Sequence, residues 1–139
     1  MKVFIGIAFL FFLTTTNAQV MQAKAQWASI KVPQLKCWEC KQRLDQYLTR
    51  EKGPNTETGI LQWKDDLRNG ILKIQFLPDR ITLDYIRTAI ANAGFDADTV
   101  TAELDSYKML PPPCKKTTDG SGFGPFKYCN MEPADRPKP

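Results

Sequence analysis

Residues 60–77 read Ile60-Leu61-Gln62-Trp63-Lys64-Asp65-Asp66-Leu67-Arg68-Asn69-Gly70-Ile71-Leu72-Lys73-Ile74-Gln75-Phe76-Leu77. Two strand-like runs, 60–66 and 71–77, flank Arg68-Asn69-Gly70, and Asn-Gly supplies the positive backbone angles that a tight hairpin turn needs. Leu72, Ile74 and Phe76 alternate onto one face, with Leu61 and Trp63 as partners from the first strand. Pro78 closes the unit, because proline has no N–H to give a ladder.

Upstream, 27–32 also alternates, placing Ala28, Ile30 and Val32 on one face, and Pro33 ends it. Cys40, Leu44, Tyr47 and Leu48 then recur at helical spacing, which predicts an amphipathic helix over about 38–50, stopped by Gly53-Pro54-Asn55. Downstream, Thr82 is suited to cap a second helix with Asp84 in its first turn. Leu83, Ile86, Ile90 and Ala93 are its buried stripe, and Asn92-Ala93-Gly94 ends it. Residues 95–102 supply one more short strand. The order is β-α-β-β-α-β, so the expectation is an α+β chain with a ferredoxin-like βαββαβ sandwich. Because the hairpin directly follows the first helix, the order differs from thioredoxin-like chains, where the hairpin comes last.

The ends differ from this unit. Lys2, the apolar run 3–13 and the small residues Thr16-Asn17-Ala18 have the layout of an export signal over 1–18. The run is too short to cross a bilayer, which takes about 20 apolar residues, so stable membrane insertion is not expected. Cleavage after Ala18 leaves a polar leader at 19–26, the domain at 27–102 and an irregular tail at 103–139. That tail holds most of the ten prolines and two of the four cysteines. The mature chain keeps 18 basic and 15 acidic side chains, net +3, with both signs mixed. No basic stripe with interleaved aromatics is present, so nucleic acid is not an expected partner. The expected location is beyond the inner membrane, periplasmic or extracellular, as a monomer.

Four cysteines and no histidine narrow the chemistry. Without imidazole, a triad built on histidine is excluded, and a metal must be held by sulfur or carboxylate. Cys37-Trp38-Glu39-Cys40 lies where the first strand passes into the first helix. Unpaired N–H groups at a helix start favour thiolate, as do Lys36 and Lys41, while Glu39 opposes it. Two soft thiolates select Cu(I), Hg(II), Zn(II) or Cd(II) over hard cations. Cys37, in the loop, is expected to be the more exposed and to make first contact; Cys40, continuing the Leu44–Leu48 stripe, is expected to be partly buried and to complete the chelate. Cys114 and Cys129 are candidates for a disulfide stapling the tail, worth about 3 kcal/mol in the chain-entropy model, or for extra ligands. Trp27, Trp63, Tyr47 and Phe76 read as packing residues. Asp65-Asp66, Asp96 and Asp98 read as solvated turn carboxylates, Asp65 as an exposed strand position, and Lys115-Lys116 as part of a solvated tail.

The segments Ile30-Lys31-Val32, Cys37-Trp38-Glu39-Cys40, Gly59-Ile60 and Ile90-Ala91-Asn92-Ala93-Gly94-Phe95-Asp96-Ala97 together resemble the heavy-metal-associated domain family, over about residues 27–102. That family includes copper chaperones, the N-terminal domains of metal-pumping ATPases and, most similar in layout, the periplasmic mercuric-ion-binding protein. The resemblance implies the βαββαβ fold, a soft metal ion held by Cys37 and Cys40, non-enzymatic metal capture and transfer, and a donor or acceptor partner such as a metal transporter. Leu35 falls where the family places a methionine, and Phe95 where the loop beside the metal carries lysine in copper chaperones and an aromatic in ATPase and mercury-type members. The family's glycine before that methionine is missing here. Two other functions use the same residues: thiol–disulfide redox work by the Cys37/Cys40 pair, and an interaction module whose metal site is vestigial.

Overall fold

The computed structural model describes residues 24–119 and 128–138. The expected export signal (1–18) and most of the leader lie outside them. The elements are β1 (Gln26–Lys31), α1 (Trp38–Lys52), β2 (Ile60–Asp66), β3 (Ile71–Phe76), α2 (Leu83–Asn92) and a short α3 (Leu104–Lys108), followed by 3-10 turns at Pro112–Cys114, Thr117–Asp119 and Pro133–Asp135.

The three strands form one antiparallel sheet in the order β1-β3-β2, so the second strand of the hairpin is central. Leu72, Ile74 and Phe76 of β3 face Ile30 and Ala28 of β1, and α1 and α2 cover this face with Leu44, Leu48, Ile86 and Ile90. The architecture is α+β and ferredoxin-like. Two details of the hairpin differ from the expectation. A bulge between Ile60 and Gln62 inserts Leu61, so Ile60 rather than Leu61 is fully buried beside Trp63. At the turn, the positive φ of +64° falls on Gly70 alone. Asn69 serves through hydrogen bonds instead, its backbone N–H and side-chain amide both donating to Asp66 (3.1 and 2.8 Å). Gly70 also passes close to β1's exit, where its carbonyl accepts from Val32 N–H at 2.8 Å.

Thr82 caps α2 by accepting the Tyr85 N–H, and Gly94 follows the helix at φ +97°. A Cβ at Gly94 would sit 2.9 Å from the Ser106 backbone, so the close seat of α3 against the end of α2 requires glycine there.

The fourth strand expected over 95–102 does not form. Ala97 and Val100 make an isolated bridge, Asp98 adopts φ +53°, and the chain turns away into α3. Asp96 and Asp98 account for this, since their carboxylates take backbone N–H groups that a ladder would otherwise use. Asp98 Oδ1 accepts the Lys31 N–H at 2.8 Å, while the Asp98 N–H donates to the Lys31 carbonyl at 2.8 Å. Asp96 Oδ1 accepts the Ala102 N–H at 2.9 Å. These carboxylates are structural, not merely solvated: Arg87 also pairs with Asp98, and Lys116 of the tail with Asp96.

Asp65 overturns a second expectation. It shares the inner face of β2 with Trp63, and its side chain is only 3% exposed. Lys41 of α1 reaches it at 3.1 Å and also pairs with Asp45, which in turn accepts the Trp63 indole N–H at 2.6 Å. Burial, then the charge of Asp45, push the Asp65 carboxyl up to about 6, against the opposing pull of Lys41. The fold therefore binds this proton more tightly than the unfolded chain. Asp65's contribution to stability is full below its ordinary value of 3.8 and is lost as pH rises toward about 6. Asp65→Asn is expected to raise stability at neutral pH relative to the parent by up to about 2 kcal/mol, and by little at about pH 4. Denaturant melts of the two proteins at several pH values check this, read as the difference between them; a pH-independent difference would refute it. Gly94→Ala is expected to cost about 1–3 kcal/mol in the same assay, through the strained φ and the clash with α3.

Candidate metal and thiol centre

The loop that carries the cysteine pair starts where β1 ends. Val32 is buried, its carbonyl accepts the Leu35 N–H at 2.9 Å, and the chain makes a compact turn through Pro33 to Lys36. Gln34 holds this turn against the opposite loop: it is buried, and its Oε1 accepts the Asp96 N–H at 3.1 Å. Cys37 adopts the extended N-cap conformation of α1 but makes no side-chain cap hydrogen bond. One turn on, Cys40 begins the buried stripe that Leu44 and Leu48 continue.

Leu35, Cys37, Cys40, Phe95, Cys114 and Cys129 all belong to one buried cluster. The two tail cysteines both reach the start of α1, Cys114 bonded to Cys40 and Cys129 lying against Lys36 and Trp38, although they lie far along the chain. The route is set by the tail. α3 docks on Gly94, Glu103 caps it through the N–H groups of Asp105 and Ser106, and Leu110 enters the core. The Pro112–Cys114 turn then delivers Cys114, and Lys116 fixes the following segment by its ion pair to Asp96 at 2.8 Å. Residues 128–138 return over the start of α1. There the Trp38 N–H donates to the Cys129 carbonyl, and Arg136 pairs with Glu39 at 2.7 Å.

Cys40 and Cys114 form a disulfide, with Cα atoms 5.4 Å apart. This corrects the expected Cys114–Cys129 staple. The tail does not close on itself; α3 and the proline turn carry it back onto α1, so Cys114 meets the helix cysteine first. Lys116, expected to be solvated, is part of the same anchoring.

Cys37 also departs from expectation. It is fully buried rather than the exposed partner, because residues 128–138 lie over it. Its Sγ donates to Glu39 Oε2 at 2.9 Å. Burial, then the contact with Cys129, then Glu39 push the Cys37 thiol well above the ordinary range. The helix start does not dominate as expected, since desolvation and a neighbouring carboxylate both favour S–H. Lys41, expected to favour thiolate, is occupied by Asp45 and Asp65. Glu39 is itself held below its usual value: burial opposes this, but the Cys37 and Arg136 hydrogen bonds outweigh it.

In this oxidised arrangement, no group of three or more His, Cys, Asp or Glu side chains among the described residues is placed to hold a metal ion. Cys40 has no free electron-pair role as thiolate while it is bonded to Cys114. Reduction would return it as a thiol beside Cys114, one turn of helix from Cys37 and the Glu39 carboxylate that Cys37 contacts. The tail's part in the centre was not legible in the sequence beyond the cysteines themselves; the run Leu110-Pro111-Pro112-Pro113-Cys114, an apolar anchor followed by a stiff turn, was the available signal.

No family model matches the chain, and no curated protein matches it. Among solved structures, a CopZ metallochaperone aligns with 19% identity and a TM-score of 0.44, covering 52% of this chain and 98% of that one.

The Cys40–Cys114 bond spans 74 residues, a closure worth about 4–5 kcal/mol in the chain-entropy model. Cys114→Ser is expected to lose about 2–5 kcal/mol of stability without reductant, read by guanidinium unfolding. A change below about 0.5 kcal/mol would show that tail docking is independent of the bond.

Proposed function

We propose that this chain is a non-enzymatic carrier of one soft metal ion, which Cys37 and Cys40 bind as thiolates once the Cys40–Cys114 bond is reduced. The observation that carries this reading is that, in a chain without histidine, both tail cysteines are brought to the Cys37–Cys40 segment, Cys114 by its bond to Cys40 and Cys129 by its contacts with Trp38 and Lys36. A sulfur-only donor set suits Cu(I), Hg(II), Zn(II) or Cd(II), and Leu35 and Phe95 supply an apolar surround that limits water.

Two barriers separate the structure from the loaded state. A dithiol reductant must deliver two electrons and two protons to the Cys40–Cys114 bond, leaving two thiols. Residues 128–138 must then lift from Cys37, whose burial and contacts favour the protonated form. Metal capture releases those thiol protons, so affinity rises with pH. In this reading the tail is a latch: oxidised, it keeps the pair from the wrong ions; reduced, it exposes the pair to a donor or acceptor such as a metal transporter. Export to a periplasmic or extracellular space is part of the proposal, supported by the 1–18 layout and by a disulfide that an oxidising compartment sustains.

A second reading draws on the same geometry. The free Cys37 thiol precedes α1, whose first turn carries the disulfide-bonded Cys40, an arrangement suited to thiol–disulfide exchange. Metal titration of the reduced mature protein, followed by native mass spectrometry with thiol counting, separates the two. The expected result is one ion per chain, with Cys37 and Cys40 protected from alkylation and binding lost in Cys37→Ser. Failure of Cu(I), Zn(II), Cd(II) and Hg(II) to bind, with ready cycling against a glutathione redox buffer, would replace the metal reading with the redox one. Failure of both would leave an interaction module.

A further inference from the structure

We propose that Cys37 and Cys129 are the sites of a second disulfide, so that each cysteine of the Cys37-Trp38-Glu39-Cys40 segment is bonded crosswise to the tail and neither to the other.

Several independent contacts bring this pair together. Both residues are buried in the same cluster, Cys37 fully and Cys129 to 8% exposure. Both are free thiols, each donating to an acceptor on the Cys37 side of the contact, Cys37 to Glu39 and Cys129 to the Lys36 carbonyl. The backbone is fixed on both sides of the contact. Trp38, next to Cys37, donates its N–H to the Cys129 carbonyl, and Cys129 Sγ lies 3.8 Å from the carbonyl of Lys36, the residue before Cys37. A turn closed by Met131 N–H on the Tyr128 carbonyl at 3.0 Å shapes the tail segment, and Arg136 holds its far side to Glu39 while also donating to the Met131 carbonyl. The competing partner for Cys37 within its own segment is Cys40, whose sulfur is already committed to Cys114.

The reaction needs an oxidant. A small disulfide such as oxidised glutathione is the class proposed: one thiolate of the pair displaces a glutathione thiol to form a mixed disulfide. The other thiolate then attacks the protein sulfur of that mixed disulfide and expels the second glutathione thiol. Two electrons pass to the oxidant, which leaves as two thiols carrying the two protons. The bond extends the latch reading by closing it at two points, but does not rest on it, since the pairing holds whether or not the reduced protein binds metal.

Disulfide mapping decides the matter. The mature protein is equilibrated with oxidised glutathione, its remaining thiols are alkylated in denaturant, and it is digested with trypsin without reduction under mildly acidic conditions. The expected product is one species joining three peptides, 37–41, 109–115 and 128–139. Cleavage after Glu39 then splits it into a Cys37–Cys129 pair and a Cys40–Cys114 pair. The intact protein should take up no alkyl groups, and Cys129→Ser should take up one, on Cys37. Two alkyl groups, on Cys37 and Cys129, would overturn the proposal, as would a Cys37–Cys40 or Cys114–Cys129 link. Because the mapping reads the oxidised protein and metal titration the reduced one, either result can fail without the other.

Discussion

The Cys40–Cys114 bond joins two parts of the chain with opposite folding tendencies. Residues 26–94 alternate and repeat well enough to make a sheet and two helices. The tail after α3 is proline-rich, and among its described residues few side chains reach the core. Leu110 and Cys114 are its fully committed apolar contributions along the first stretch, with Cys129 added on the return. A short segment of that kind gains too little from burial to offset the entropy of ordering it. A covalent link to the first turn of α1 removes much of that entropy from the unfolded state, and the ion pairs Lys116–Asp96 and Arg136–Glu39 can then act over a docked surface.

The same link decides the chemistry of the cysteine loop. A helix start stabilises thiolate only when the thiol is free to ionise and the surroundings tolerate charge. Covering the loop with residues 128–138 withdraws both conditions: Cys37 loses water, and Cys129 joins Glu39 around it. The apolar cover that makes the centre chemically quiet would also make a soft thiolate pair resistant to water and hard cations once opened. Stability and reactivity are therefore opposed states of one arrangement.

The elements were legible from periodicity wherever one physical pattern acted alone. Leu72, Ile74 and Phe76 alternate because β3 is central and half-buried; Thr82 and Gly94 bracket α2 because a helix needs its cap and its exit. What escaped the sequence came from side chains competing with backbone, or from long-range meetings. Asp96 and Asp98 looked like turn residues in a strand-length segment, and their capture of the Ala102 and Lys31 N–H groups replaced the strand. Asp65 looked exposed because a charged residue is costly to bury; the Lys41 ammonium that offsets the cost lies on another element. For the centre, Cys37 and Cys40 could be named from the loop alone, whereas Leu35 and Phe95 were named only through the family resemblance. The arrival of Cys114 and Cys129 depends on α3 and the proline turn, which no local pattern encodes.

Asp98 has an effect on the sheet as a whole. Lys31 directs both its N–H and its carbonyl outward to Asp98, so by the two-residue alternation of a strand Ser29 and Trp27 direct theirs the same way. Among the described residues the sheet ends at β1. An outer strand of this kind is a template on which copies of a chain can add to one another. A carboxylate bound at the end of that strand, held there by Arg87, blocks one terminus of the template with a fixed charged group. The residue that prevents a fourth strand from growing within the molecule thereby also hinders one from being supplied by a neighbour.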